Sequence, residues 1–362
     1  MIEDESIHPS LVLSVVAPHA YQTYTMLSLK IRQSLCRGAP RYSPQFFSSS
    51  SSSSPPDAAS AAECDRLVKL YDYENYMCSL FLPPDVRRSI LALRAYNVEL
   101  ATVRDATRGN ALTGRLRFQF WKDTLDRACS STPTDTRVDF SSPVQRSLYD
   151  AVQAHGLNQR FLNRLLVARE KELENEELSD MGDFEEYAEA VGSSLMYLSL
   201  QCQGIVDTDN AKTATAVIDD NAYRAAGHVG RAIGMVTMLR SVPMTAENSQ
   251  RFTLPFWVMS GHGVTREEFL TGVSTPQMQD CILEAATAAN NQLLDAKDMQ
   301  DKGELSKQAA NALLPAALAE DFLVRLEHVE FDIFHPSLVR TKWDNVKFMM
   351  RLYSLQNAGK IL

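Results

Sequence analysis

Apolar residues recur at helical spacing along most of the chain after residue 64. In the stretch 85–106 they follow roughly helical spacing over about six turns, at Val86, Ile90, Leu93, Val98, Leu100 and Val103. Pro84 suits the first turn of such a helix, and Gly109 suits the position after its end. The spacing therefore predicts one long helix here.

The same pattern predicts further helices, separated by proline, glycine and polar loops. Their expected ranges are 65–82, 115–129, 143–155, 158–177, 183–204, 220–240, 276–299, 307–328 and 337–354. Thr265, with Glu268 three positions on, predicts a capping box. About ten helices without interleaved strands indicate an all-α fold, a single-domain helical bundle.

The N-terminal sixty residues differ from this helical body. Residues 1–25 carry three acids and no lysine or arginine, whereas residues 26–56 carry four basic residues, no acid and seven consecutive serines. Such a composition is typical of a mitochondrial transit peptide, and a disordered low-complexity tail is the alternative. A start at Met26 suits a transit peptide better than the acidic first residues do. We therefore expect an extension with a Ser-rich linker at 1–60 and one folded domain at 61–362.

Charge and composition narrow the classes of function. A formal net charge of −9 disfavours a nucleic-acid binder, because phosphate neutralisation needs clustered lysine and arginine. Without residues 1–56 the remainder carries −10, so the folded body is the acidic part. No stretch approaches the ~20 uninterrupted apolar residues of a membrane span. The six cysteines are far apart and form no CxxC pair, which favours buried free thiols over a zinc site.

The densest acidic run places Glu170, Glu174 and Glu177 on one stripe of a predicted helix. A solvated helix face is the expected interpretation, and a divalent-metal patch or a docking surface for a basic partner is the alternative. Metal ligation needs hard oxygens from more than one element. A single helix cannot establish that.

The histidines and the known sequence motifs add no catalytic site. His228 lies among small residues and is expected to pack in the interior. His155 precedes a glycine at a predicted helix end, where a positive charge is favoured. No GxSxG, HExxH, P-loop or dinucleotide-binding fingerprint is present.

Five segments, in order, resemble the squalene/phytoene synthase family of all-α isoprenoid enzymes over most of residues 70–330. They read LALRAYNVELATVRD, RLRFQFWKDTLD, EYAEAVGSSLMYLSLQCQG, HVGRAIGMVTMLRSVP and RFTLP. The resemblance implies the α-helical prenyl-synthase (isoprenoid synthase) fold. In that family two Asp-rich motifs face each other across a helical cavity and hold Mg²⁺, which grips a diphosphate leaving group.

The residues at these two motifs depart from the family pattern. The first reads ATVRD and keeps only Asp105, beside Arg104, while the second reads SVPMT after Arg240 and has no acid. Because Mg²⁺ needs carboxylate oxygens, we expect a pseudoenzyme with no catalytic residue, no metal and no cofactor. The charged residues left in the old cavity would be Glu99, Arg104, Asp105 and Arg240. Ordinary ion pairing between helices is the alternative for these four.

The departures themselves resemble a divergent mitochondrial branch of the family, whose members are assembly factors for respiratory complex I. The segments NVELATVRD, FWKD and AREKEL and the leader-like N-terminus carry this resemblance. It implies a peripheral location on the matrix side of the inner membrane and a role in early assembly of the enzyme. The implied partners are complex I subunits or other assembly factors. The first hypothesis is thus a non-catalytic scaffold, whose cavity holds an apolar ligand or a partner helix.

Two other hypotheses stay open. An active prenyl transferase would use relocated acids, for example Glu99, Asp105 and the Glu170–Glu177 stripe. A membrane-surface adaptor would use the last helix, LVRTKWDNVKFMMRLYSL, because basic and aromatic residues together suit a membrane interface. Packing into the core is the alternative for that helix.

Overall fold

Helices and turns, without a strand, make up the parts of the chain that the computed structural model describes, namely residues 56–107, 110–130, 140–173, 177–205, 219–248 and 252–362. The predicted transit peptide, most of the Ser-rich linker, Gly109 and Glu174 lie outside these ranges. The predicted all-α fold is confirmed.

The helices are numbered in chain order over the described residues. They are α1 (Pro56–Tyr71), α2 (Tyr73–Ser79), α3 (Pro84–Ala101), α4 (Val103–Ala106), α5 (Ala111–Ser130), α6 (Pro143–His155), α7 (Gln159–Leu173), α8 (Met181–Ala188), a π-helix (Glu189–Ser193), α9 (Ser194–Cys202), α10 (Asp220–Asn248), α11 (Phe256–Gly261), α12 (Arg266–Thr271), α13 (Pro276–Asp301), α14 (Lys307–Ala312), α15 (Ala316–His328), a 3-10 turn (Pro336–Leu338) and α16 (Lys342–Ala358).

The long helix α10 organises the interior. It packs along α13 and also contacts the π-helix, α8, α9 and α15, while α1, α3 and α6 pack on one another and α5 packs on α7. One continuous apolar core joins these helices. A second, smaller core holds α16 against α2 and α15, with Cys78, Leu318, Phe348 and Leu352 among its members.

The helix predicted at 85–106 is present but divided at Thr102. α3 ends at the residue before it, and a single turn, α4, follows. Thr102 Oγ1 donates a hydrogen bond to the carbonyl oxygen of Val98 at 2.8 Å. A threonine hydroxyl that binds the preceding turn in this way tends to bend a helix. Arg104 and Asp105 therefore lie on a separate short turn beyond the long helix.

Two other predicted helices are also divided. The helix expected at 307–328 breaks before Pro315, since a proline ring cannot continue the hydrogen-bonded turn. The helix expected at 65–82 breaks at Asp72, whose Oδ1 accepts a hydrogen bond from Asn75 Nδ2 at 2.7 Å. In both places a local feature interrupts the helix, although the apolar spacing in the sequence continues across the break.

Some helix boundaries differ from the predicted ones. α1 begins at Pro56, a few residues before the expected end of the N-terminal extension at residue 60. The compact unit that contains α1 spans Ser54–Leu362. α7 ends at Leu173 and Glu177 is not helical, so the prediction that Glu177 belongs to that helix is wrong. α11 has no counterpart in the predicted pattern. The capping box at Thr265 and Glu268 is confirmed.

His155 ends α6 as predicted, and Gly156 follows it in the left-handed conformation. The expected positive charge is not favoured there, because burial lowers the pKa of the imidazole. A hydrogen bond of 2.9 Å joins His155 Nε2 to Ser89 Oγ, which ties α6 to α3. Desolvation thus outweighs the attraction of the helix end for a cation.

We expect the protein to lose stability as the pH falls below about 6.5, the usual pKa of histidine. The folded state binds the His155 proton more weakly than the unfolded chain does, so stability rises with pH in this range and then levels off. Urea unfolding at pH about 7.5 and about 5.5 measures the effect. His155→Gln keeps a hydrogen-bonding group and should lose less stability over that interval. An equal loss in both proteins would contradict this role for His155.

Candidate functional site

The π-helix and α10 are in backbone contact at glycines. A Cβ atom at Gly192 would lie 1.9 Å from the carbonyl oxygen of Gly230, and one at Gly230 would lie 2.2 Å from the Cα of Ser193. Ser193 Oγ also donates a hydrogen bond to the carbonyl oxygen of Gly227 at 2.9 Å. Only residues without a side chain permit this approach. The two helices therefore leave no room for a ligand between them at this point.

Glu189, the first residue of the π-helix, accepts bonds from three helices. Arg231 Nη1 of α10 donates to Glu189 Oε2 at 3.1 Å, and Tyr197 of α9 donates to Oε1 at 3.2 Å. Arg164 of α7 donates to the same Oε1 at 3.4 Å. Arg231 also donates to Gln292 of α13 at 2.7 Å. This half-buried group is a charge-paired junction of helices, which we call the Glu189 junction.

The sequence analysis did not single out this junction. From the acidic run, which extends to Glu189, only Glu170, Glu174 and Glu177 were considered, and neither Arg164 nor Arg231 was. The available signal was the combination of a carboxylate and a glycine within EAVGS, next to a helix with glycines at 227, 230 and 234. The partners are separated by 25 and 42 positions in the chain. Helical spacing alone cannot supply such pairings.

Aromatic side chains fill the interior around the junction. The rings of Tyr197 and Tyr223 stack with centroids 4.3 Å apart, and Phe161 packs against both. Burial is the largest effect that raises the pKa of Tyr197, to about 12, with the carboxylate of Glu189 adding to it. The fully buried Tyr96 of α3 donates a hydrogen bond to the carbonyl oxygen of Leu162 of α7 at 3.1 Å.

Two pockets among the described residues are small or open. One has a volume of about 20 Å³, which is room for a single water molecule, and its lining includes Asn75, Arg94 and Asn311. The other, of about 310 Å³, is an open groove between α1 and α3, lined in part by Asp65 and Arg88. Drug-sized ligands need an enclosed volume of roughly 300 Å³ or more. Neither pocket offers an enclosed volume of that size.

The predicted pocket residues of the first motif have unlike surroundings. Glu99 is half-buried on α3, and burial raises its pKa while the positive charge of Arg117 on α5 opposes that rise. Arg104 is half-buried and Asp105 is exposed on the short turn α4. These three residues thus differ in burial and lie on two separate helical segments.

Arg240, from the second motif, is part of a network of charges at α10. It pairs with Glu74 of α2. Glu74 also binds Arg340 Nε at 3.1 Å, and Arg340 Nη2 donates to Asp321 of α15 at 2.6 Å. Asp321 in turn pairs with Arg325 at 3.1 Å. We call this set of three arginines and two acids the Arg340 network.

The acidic run is largely committed to ion pairs. Glu170 binds Lys122 of α5 at 2.8 Å, and Glu172 pairs with Arg169 at 2.9 Å. Glu177 pairs with Arg266 of α12. Glu170 and Glu177 thus bind basic residues of other helices, whereas the Glu172 pair lies within α7.

Metal ligands and reactive thiols are both lacking in the described part of the chain. No group of three or more His, Cys, Asp or Glu side chains there could hold a metal ion. The cysteines described, at 64, 78, 129, 202 and 281, are free thiols. The described helices also include none that is long and apolar enough to cross a membrane.

Comparisons with known proteins give two kinds of similarity. The family model of squalene/phytoene synthase matches residues 68–347. A bovine protein named NADH dehydrogenase (ubiquinone) complex I, assembly factor 6, is 36% identical over 277 residues, which cover 76% of this chain and 77% of the relative. The human protein of that name is 37% identical over 276 residues and covers 76% of each chain. A Drosophila melanogaster homolog is 34% identical, over 77% of this chain and 79% of its own.

Solved structures show the same fold at low identity. A dehydrosqualene synthase superimposes with a TM-score of 0.67 at 16% identity, over 84% of this chain and all of its own. Squalene synthase HpnC from Alicyclobacillus acidocaldarius gives a TM-score of 0.62 at 15% identity, over 76% of this chain and 95% of its own. The predicted isoprenoid-synthase type of helical bundle is therefore confirmed.

Proposed function

We propose, from the premise that this chain belongs to the squalene/phytoene synthase family, that it is an assembly factor of mitochondrial respiratory complex I. The observation that carries the proposal is 36% identity to the bovine assembly factor 6 over about three quarters of both chains. The two synthases compared above are only 15–16% identical to the chain. The sequence thus lies much nearer to the assembly factors than to these synthases.

The proposed role is that of a non-catalytic scaffold. A synthase of this family needs carboxylates from two motifs to hold Mg²⁺ and a diphosphate. In this chain the second motif, SVPMT, contains no acid, and the neighbouring Arg240 pairs with Glu74. This donor set does not fit a magnesium–diphosphate complex. Among the acids that relocated catalysis would recruit, Glu170 and Glu177 are engaged in ion pairs.

A packed interior also supports a scaffold over a synthase. The π-helix touches α10 through its backbone, and aromatic rings fill the space around the Glu189 junction. Of the two pockets described above, the more enclosed one has a volume of about 20 Å³. A prenyl chain would need a far larger space. We propose that the chain acts through its surface, on complex I subunits or other assembly factors, on the matrix side of the inner membrane in early assembly.

Loss of the gene is expected to reduce fully assembled complex I severalfold, and the natural chain should restore it. Native gels with an in-gel activity stain measure this in cells lacking the gene. An Asp105→Asn variant should restore complex I as well as the natural chain, because no carboxylate chemistry is required. Normal complex I in the disrupted cells would contradict the assembly role.

A direct assay separates the scaffold from an active prenyl transferase. With farnesyl or geranylgeranyl diphosphate and Mg²⁺, the purified chain should release no pyrophosphate above a protein-free control. Release that disappears in Asp105→Asn would show that relocated acids catalyse the reaction, and would overturn the non-catalytic part of the proposal.

A further inference from the structure

The C-terminal helix α16 exposes an apolar stripe. Trp343, Val346, Met350 and Tyr353 are spaced three, four and three positions apart, so they lie along one face of the helix. Their exposed fractions are 77, 50, 68 and 61%. Large apolar side chains exposed in a row, as opposed to singly, mark a contact surface. We call these four residues the α16 stripe.

The opposite face of α16 fixes this helix on the bundle. Phe348 and Leu352 are buried in the second core. Arg351 pairs with Glu320 of α15, and Gln356 donates a hydrogen bond to the carbonyl oxygen of Phe81 at 2.9 Å. The core-packing interpretation of the helix therefore holds for one face. The other face carries a stripe that the fold holds in place.

The charges around the α16 stripe are positive. At about 100° per residue, Lys342 and Lys347 fall on opposite edges of the stripe, and both are exposed. The helix contains one acid, Asp344, and its carboxylate accepts hydrogen bonds from the backbone nitrogen and hydroxyl of Thr341 as a cap. Residues 339–362 carry a net charge of +4, in a chain whose net charge is −9.

We propose that the α16 stripe is the surface by which this protein lies on an anionic lipid membrane. An apolar row of tryptophan, methionine and tyrosine suits the boundary between headgroups and acyl chains, where amphipathic aromatic rings are enriched. Lysines at both edges reach the lipid phosphates while their stems cover apolar surface. The inference rests on the peripheral membrane location within the proposed function, and it names the contact.

A soluble protein partner fits the same surface less well. Lysine is depleted in protein interfaces relative to the rest of the surface, and here two lysines flank the stripe. Positive charge on a strongly acidic protein is complementary to anionic lipid, whereas two copies of this segment would repel each other through their net charge. The lipid surface is the occupant that satisfies both the apolar row and the charge.

Vesicle flotation tests the proposal on the full chain. The N-terminal basic residues could bind anionic lipid themselves, so all proteins also carry Gln at Lys30, Arg32, Arg37 and Arg41. The vesicles contain phosphatidylcholine alone or an equal mixture with phosphatidylglycerol. This background protein should float with the anionic vesicles, and binding should weaken as salt is raised.

Two pairs of substitutions separate the apolar and the charged contributions. Trp343→Ser with Met350→Ser should weaken partitioning roughly 100-fold, because two large side chains lose their burial in lipid. Lys342→Gln with Lys347→Gln should weaken it roughly 25-fold on anionic vesicles, about fivefold per lysine. All four positions are exposed, so thermal unfolding of these variants should match that of the background protein.

Matched controls make the test specific to α16. Trp257 on α11 is 70% exposed, so Trp257→Ser removes a similar side chain elsewhere on the surface. Lys297→Gln with Lys302→Gln removes two exposed lysines of the α13 region. Both controls should stay within about twofold of the background protein.

The possible results lead to different conclusions. Unimpaired flotation of the Trp343 and Met350 variant, or an equal loss with Trp257→Ser, would overturn the α16 assignment while leaving a peripheral location intact. Absence of flotation in the background protein would also overturn it. A defect in complex I rescue by the same stripe substitutions, made in the natural chain with its N-terminal basic residues intact, would then indicate a protein partner. Flotation through α16 without rescue of complex I would contradict the proposed function and leave the lipid surface standing.

Discussion

Replacing Gly192 by alanine is expected to destabilise the protein by about 3 kcal/mol or more. The added methyl group would lie 1.9 Å from the carbonyl oxygen of Gly230, and that atom belongs to the backbone of α10. A flexible side chain could move away from the clash, but two packed helices must separate. The separation would also lengthen the hydrogen bond from Ser193 to Gly227, now 2.9 Å. Urea unfolding of the purified chain measures the change.

Gly261→Ala is the matched control for this substitution. Gly261 ends α11, has no positive φ, and a Cβ there meets nothing within 4 Å. We expect its free energy of unfolding to stay within about 1 kcal/mol of that of the natural chain. A similar loss at both positions would mean that the close backbone contact at Gly192 is not the cause of the destabilisation. Unchanged stability of Gly192→Ala would mean that the backbone contact between the helices is not tight in solution.

Arg340→Ala is expected to cost about 3 kcal/mol, because it removes the buried cation that bridges two half-buried carboxylates, Glu74 and Asp321. The Arg340 side chain is only 8% exposed and binds Glu74 at 3.1 Å and Asp321 at 2.6 Å. Its guanidinium also lies 4.1 Å from the ring centroid of Phe348 in the second core. The substitution thus removes charge pairing and packing at the point where α16 begins. Urea unfolding measures the loss.

A second substitution separates charge from packing in this network. Glu74→Gln removes one of the two carboxylates that Arg340 bridges, so the variant with both substitutions should recover part of the stability lost in Arg340→Ala. Arg88→Ala, at an exposed arginine of α3, is the control and should change stability by less than about 0.5 kcal/mol. If Glu74→Gln makes the Arg340→Ala protein less stable still, the network does not act through charge pairing.

Local rules account for the parts of the fold that local interactions determine. Apolar spacing, with a proline at the start and a glycine after the end, was enough to predict α6 to the residue. The capping box at Thr265 follows from two residues three positions apart. The break at Thr102 was missed because the threonine hydroxyl interrupts the helix without interrupting its apolar pattern.

The charge networks could not be predicted from the same rules. Arg240 was singled out through a family resemblance, but its partner Glu74 is 166 positions away. The Glu189 junction likewise depends on how α7, α9 and α10 pack together. The spacing of residues along the sequence does not determine that packing. Whether Glu99, Arg104, Asp105 and Arg240 form a remnant of a pocket remains a prediction. The structure gives Arg240 an ion pair between helices.

The buried thiols provide a chemical probe for the local unfolding of each apolar core. Burial raises the pKa of Cys78 in the second core to about 12, and it does the same for Cys202 and Cys281 in the main core. A thiol that stays protonated and buried reacts with alkylating reagents only when the structure around it opens. The rate of alkylation of Cys78 therefore reports on the release of α16, and the rate of alkylation of Cys202 reports on the unfolding of the bundle. The same protection makes these cysteines chemically silent towards oxidants while the protein is folded.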